Sequence, residues 1–256
     1  MKENYHTHTW RCNHATGTEE QYVQSAIERG LSVLGFSDHS PYLFPGSYYS
    51  RFRMKMEQLD DYIRTITELR EKYRNQIRIP IGLETEYYPK FFPDLAAVLR
   101  DKPIDYLILG QHFTNNEIDG VYCANATTDP GDLKAYCTQV LDAMQTGLFT
   151  YVAHPDIIHF QGSQTLYRDW MRRICQESKS TGIPLELNFL GLHTGRNYPN
   201  RAFLELVAEE NCSMILGCDA HSPEELRNID VEKRAEALLE EYGIPILPTT
   251  PLRPVR

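Results

Sequence analysis

Short apolar runs alternate with longer amphipathic stretches along the whole chain. NYHTH (4–8), VLGFS (33–37), RIPIGLE (78–84), DYLILGQH (105–112), FTYVAH (149–154), PLELN (184–188) and SMILGCDAH (213–221) are short and rich in apolar or β-branched residues, which predicts strands. Between them the apolar positions recur at helical spacing, which predicts helices over 19–29, 56–74, 93–100, 131–146, 164–181, 199–210 and 231–242. Thr18-Glu-Glu-Gln21 has the form of a capping box, and Gly30 is placed to end the first helix. IPIL (244–247) reads as a last strand.

Strands and helices in strict alternation predict a parallel sheet. About seven such units in 256 residues fit a distorted (β/α)7 barrel better than a two-layer fold. The other candidate is an open doubly wound sheet, but no Gly-rich phosphate loop follows the first strand. No repeat, low-complexity tract or linker divides the chain, so 1–256 reads as a single domain.

The polar residues fall at one end of these strands. His6 and His8 end the first, Asp38 and His39 the second, Glu84 the third, His112 the fourth, His154 the fifth, Asp219 and His221 the seventh. The sixth departs, ending in Glu186 and Asn188. In a (β/α) barrel the C-terminal strand ends open on one face, where active sites sit. Side chains at i and i+2 of a strand share a face, so His6 and His8 can ligate one ion, and His14 in the next loop can reach the same rim. A lone strand-end histidine is more often a satisfied polar group, and His159 and His193 are left near that reading. The repetition over six strands is the signal. Imidazole and carboxylate without thiolate suit Zn, Mn or Fe. Cys12 and Cys218 lie beside these positions and read as packing residues or as neighbours that support the ligands from behind.

Composition narrows the function. Lys and Arg number 26 against 35 Asp and Glu, a net charge of −9, which argues against generic nucleic-acid binding. The first residues lack the apolar core of a secretory signal, and no run of eighteen apolar residues exists to span a membrane. Six scattered cysteines without a C-x-x-C pair read as free thiols of a cytoplasmic protein.

HTHT (6–9), SDH (37–39), GLE (82–84), GQH (110–112), AHP (153–155) and DAH (219–221) resemble, in order, the successive motifs of the polymerase-and-histidinol-phosphatase (PHP) family. HTHTWRCNHA further resembles its monofunctional histidinol-phosphate phosphatases. The resemblance implies two to three divalent metal ions in a distorted (β/α)7 barrel. It implies His6, His8, Glu84 and Asp219 on a first ion, and Glu84 bridging to a second with His112 and His154. It implies His14, His39 and His221 on a third; some relatives carry Asp at the place of His14. Asp38 would orient a ligand.

Clustered divalent ions suit phosphate ester hydrolysis, because they lower the pKa of bound water towards about 7 and neutralise phosphoryl charge. The expected activity is therefore attack of a metal-bound hydroxide on a small phosphate ester, L-histidinol phosphate of histidine biosynthesis, with Glu84 and Asp219 in the catalytic set. A phosphomonoester also wants a bidentate arginine. Arg196 in HTGRNYPN, a stretch resembling the phosphate-binding loop of those phosphatases, is the first candidate, with Arg11 and Arg168 behind it. The leaving alkoxide takes its proton from Asp219, His193 or a metal-bound water. Another small phosphoester or a nucleic-acid end is the alternative substrate. An amidohydrolase would bridge its metals with a modified Lys after strand four, where this chain has His112, and a degenerate scaffold would have lost ligands. The long aromatic loops 40–55 and 113–130 are placed to shape the substrate pocket.

Overall fold

The computed structural model describes residues 1–255. Seven strands follow one another with helices between them: β1 (Glu3–Asn4), β2 (Val33–Leu34), β3 (Gly82–Thr85), β4 (Tyr106–Leu109), β5 (Phe149–Val152), β6 (Leu185–Asn188) and β7 (Met214–Gly217). Every pairing is parallel, with neighbours in sequence order: β1–β2 in one small sheet and β3 to β7 in a second. Isolated parallel bridges join the two. Phe36 pairs Ile81 and His39 pairs Glu84 on one side; Thr7 pairs Ala220 on the other. No continuous ladder closes the ring, and that is the distortion of the barrel.

Among the described residues there are eight α-helices: α1 (Glu19–Arg29), α2 (Leu59–Lys72), α3 (Phe92–Arg100), α4 (Pro130–Gln145), α5 (Gln164–Thr181), α6 (Phe189–Thr194), α7 (Arg201–Glu209) and α8 (Ile229–Glu241). Their ends follow local chemistry. Thr18 and Gln21 form the expected capping box, and Gly30 ends α1 at φ 79°. Ser163 caps α5 and Gly182 ends it in the left-handed region.

Alternation along the strands sorts the layers. Leu83, Leu107, Leu109, Val152, Leu185, Leu187, Met214 and Leu216 point outward into the main apolar core with the helices. Each such buried side chain contributes about 1.5–3 kcal/mol. Tyr5, Val33, Tyr106, Ile108, Tyr151 and Ile215 fill the barrel interior. Tyr106 spans it, its hydroxyl lying 2.8 Å from the carbonyl of Tyr5 and 3.0 Å from that of Phe36, with one proton to donate between them. A Cβ on Gly82 would come within 2.3 Å of the Tyr106 ring, so glycine there admits the tyrosine.

Two expectations change. The short helix α6 follows β6 directly, in a stretch where the pattern predicts no helix; its apolar run FLGL is too short to show a period. IPIL makes a single bridge, Met214 to Ile246, rather than a strand. Just beyond β7 the chain bridges to the segment that follows β1, through Ala220 and Thr7.

Candidate metal centre

The layer of interior side chains above Tyr106 is polar. Glu84 stands on β3, 1% exposed. Its Oε1 faces three imidazoles: His154 Nε2 at 2.9 Å, His6 Nε2 at 3.5 Å and His112 Nε2 at 3.6 Å. Its Oε2 faces His39 Nδ1 at 3.0 Å and His8 Nε2 at 3.5 Å. Asp219 Oδ1 approaches His8 Nε2 (3.1 Å) and His6 Nε2 (3.4 Å). His14 Nε2 lies 3.0 Å from His221 Nε2, and His14, His39 and His221 can point one nitrogen each at a common point. All nine residues proposed as ligands from the sequence thus meet at the barrel mouth.

The neighbouring groups turn these rings. Glu186 Oε1 accepts from His6 Nδ1 at 2.8 Å, and its Oε2 accepts from the His154 backbone N–H at 2.9 Å. Asp38 lies 3.4 Å from His8 Nδ1 and also accepts from the Thr9 hydroxyl. Glu86 lies 3.0 Å from His112 Nδ1. Backbone carbonyls take the others: Cys12 O is 2.8 Å from His14 Nδ1, and Asp219 O is 3.0 Å from His221 Nδ1. Five of the imidazoles therefore turn Nε2 inward, the arrangement in which carboxylate or carbonyl partners orient metal-binding histidines. Asn188 donates to Glu186 (2.9 Å) and Asp219 (3.1 Å) while its carbonyl caps α6.

The donor atoms fit cations. His6 Nε2, His8 Nε2 and Glu84 Oε2 are buried without a hydrogen-bond partner, an unfavourable state that a bound cation would relieve. Burial opposes the charged form of Glu84, but the His112 and His6 imidazoles outweigh it and hold the carboxyl well below its usual range. The same balance, with His6 and His8, depresses Asp219. Burial lowers the His221 imidazole to about 3 and His39 well below its ordinary value, leaving neutral rings with lone pairs to give. Cys12 lies within ligating reach of His8 and His221, but burial and Asp38 raise its thiol, which disfavours the thiolate a metal would need. His154 (φ 29°) and Asp219 (φ 51°) hold left-handed backbone, strain of a kind that gathers at functional sites.

A cavity of about 500 Å³ opens above these donors. Beyond the ligands its walls are Phe52, Phe113, Tyr122, Leu190, Arg196 and Tyr198. Arg196 donates to the Tyr198 hydroxyl at 3.0 Å. The loop carrying it is tied down where Asn197 donates to Ile157 O (2.8 Å). The other two arginines are elsewhere. Arg11 is 2% exposed and turns away to Glu19, Asp61 (2.6 Å) and Thr65 (3.3 Å). Arg168 pairs on the surface with Glu205 (2.7 Å) and Glu209 (2.6 Å) of α7. His193 is exposed on α6 and borders a separate crevice with Cys218 and Val231. Glu86 and Glu186 were not among the sequence candidates; Glu86 directly follows β3 and Glu186 lies within β6, where it was the visible departure in strand six. Among the described residues, no helix is long and apolar enough to cross a membrane.

Comparison with known proteins gives the family and the fold. Residues 4–189 match the family described as "PHP domain". A protein of Deinococcus radiodurans named "Probable histidinol-phosphatase" is 31% identical over 230 residues, covering 86% of each chain. The histidinol-phosphatase of Bacillus subtilis is 24% identical over 272 residues, covering 94% of this chain and 99% of its own. Among solved structures, histidinol phosphate phosphatase of Lactococcus lactis, complexed with Zn, L-histidinol and phosphate, has a TM-score of 0.74 at 22% identity, covering 97% of this chain and 96% of that one. That likeness establishes the shared fold.

Proposed function

The chain belongs to the PHP domain family, and from that premise we propose that it is a metal-dependent phosphomonoesterase hydrolysing L-histidinol phosphate to L-histidinol and inorganic phosphate, a step of histidine biosynthesis. The observation that carries this reading is the convergence of seven imidazoles, Glu84 and Asp219 under one cavity with Arg196 in its wall. One domain spanning the chain supplies the whole site.

We assign His6, His8, Glu84 and Asp219 to one divalent ion, His112 and His154 with Glu84 to a second, and His14, His39 and His221 to a third. Two or three ions of Zn, Mn or Fe bound there would supply an activated water at neutral pH and offset phosphoryl charge. Glu84 suits the bridging role because its two oxygens face different histidines. Arg196, braced by the Tyr198 hydroxyl, offers the phosphate two parallel N–H donors at the open side. Asn188 holds Asp219 Oδ2 and leaves Oδ1 facing His6 and His8. The proton for the leaving alkoxide comes from cavity water, directly or relayed by Asp219, which is ionised at rest and must first take up the proton it gives; His193 does not line the cavity. Phe52, Phe113 and Tyr122 face the organic part of the ester. The cavity's size, with a single arginine on an acidic chain, favours a small ester over a nucleic-acid end.

The test is phosphate release by purified, metal-analysed protein from L-histidinol phosphate, p-nitrophenyl phosphate and a nucleotide monophosphate. A preference of about several hundredfold in kcat/KM for L-histidinol phosphate, lost on chelation, supports the reading. Comparable slow rates on all three would leave a phosphatase and remove the histidinol assignment.

A further inference from the structure

Arg53 lies where four segments cross and is 2% exposed. Its guanidinium grips Glu86 with both arms, Nη1 to Oε2 at 3.0 Å and Nη2 to Oε1 at 2.8 Å. Nη1 also donates to Ser40 O at 2.8 Å, and Nε donates to Glu117 Oε1 at 2.8 Å. Glu86 in turn lies 3.0 Å from His112 Nδ1. A continuous chain of contacts thus runs Glu117, Arg53, Glu86, His112, from the outer loops to a ring of the metal centre.

Both ends of this chain bear on the cavity. Phe52, the residue before Arg53, lines it; Phe52 stacks on Phe113 at 5.7 Å and meets the His39 ring edge-on at 5.3 Å. Glu117 belongs to the loop that begins with Phe113 and returns at Tyr122, where the two pair. The Tyr48 hydroxyl donates to Glu117 O at 3.3 Å, a further tie between the two loops. Three buried charges are costly to assemble, and apolar residues could fasten two loops as well. What apolar residues could not do is hold a carboxylate under His112.

We propose that Arg53 is a positioning residue that locks the loops 40–55 and 113–122 together, sets the Phe52–Phe113 wall against the organic part of the phosphoester, and through Glu86 fixes the His112 ring for metal. This deepens the phosphatase reading and rests on it. The two functions separate by partner: the Glu117 contact governs the wall, and the Glu86 contact governs His112.

The experiment uses the full chain loaded with Zn(II) and three variants, Glu117→Gln, Glu86→Gln and Arg53→Lys, each checked for folding by circular dichroism. For Glu117→Gln the KM for L-histidinol phosphate rises about tenfold, while kcat and the inhibition constant of inorganic phosphate stay within about twofold. Inorganic phosphate has no organic part for the wall to meet, so it reports the metal end alone. For Glu86→Gln, Zn(II) retention against a competing chelator, read without turnover, falls about tenfold or more. Arg53→Lys keeps the charge, loses the fork and shows both effects. Glu117→Gln and Glu86→Gln preserve shape, so the test stands even if Arg53→Lys fails to fold. Wild-type KM in Glu117→Gln together with wild-type Zn(II) retention in Glu86→Gln would overturn the proposal. Should the wild-type protein not hydrolyse L-histidinol phosphate, the phosphatase reading falls, while the Zn(II) retention of Glu86→Gln still decides the link to His112.

Discussion

Gly110 and Glu84 face each other from neighbouring strands so closely that a Cβ on Gly110 would lie 1.9 Å from Glu84 Oε1. The glycine that opens GQH therefore makes room for the carboxylate that closes GLE. The same relation recurs across the barrel, where a Cβ on Gly217 would lie 1.7 Å from Glu186 Oε1.

Gly110→Ala should displace Glu84 from between its histidines. Overpacking of this kind costs about 1–3 kcal/mol of stability. The functional loss should be larger, with bound metal and phosphate release both falling about a hundredfold. Metal analysis beside thermal unfolding checks it; a variant with full metal content and full turnover would show that Glu84 can shift without consequence.

Glu186→Gln should fold and still lose metal. Glu186 is buried and fixes His6 Nδ1 and the His154 backbone, yet it touches no cavity space directly. Removing such an orienting partner typically weakens metal affinity about 10–100-fold. Competition with a chromogenic chelator measures this, and affinity equal to the wild type would mean that the His6 ring is held by packing alone.

The three arginines should part company. Arg196→Ala should lower kcat/KM about a hundredfold by removing a bidentate phosphate contact. Arg168→Ala should leave turnover unchanged, because its partners are the exposed Glu205 and Glu209. Arg11→Ala should act on stability instead, by about 2 kcal/mol, since it strands the buried Glu19 carboxylate. Kinetics and denaturant unfolding on the same three preparations separate these outcomes.

Chelation should lower the unfolding temperature as well as abolish activity. Cations bound only by the folded chain stabilise it by mass action, about 2.7 kcal/mol per site at a hundredfold excess over Kd. Scanning calorimetry with and without chelator, and after adding metal back, tests this. His8→Ala should show a smaller chelator effect than the wild type, because fewer sites remain to be emptied.

The order of seven strand–helix units was legible because a hydrophobic period and a capping box such as Thr18–Gln21 are local properties. So was the ring of ligand types: a residue at the C-terminal end of a parallel strand must reach the barrel mouth, whatever its distance along the chain. The short helix α6 was hidden because FLGL shows no period, and the single bridge of IPIL because its pairing depends on a partner strand. For the same reason the sequence alone placed His6, His8, Glu84 and Asp219 on one rim but not the partners that turn them. Only the tertiary structure decided that Arg196 lines the cavity while Arg11 and Arg168 face carboxylates elsewhere, and that Glu86 and Glu186 stand behind His112 and His6. Those assignments depend on which side chains meet across separate strands and loops, and no periodicity or spacing along the chain encodes such a meeting.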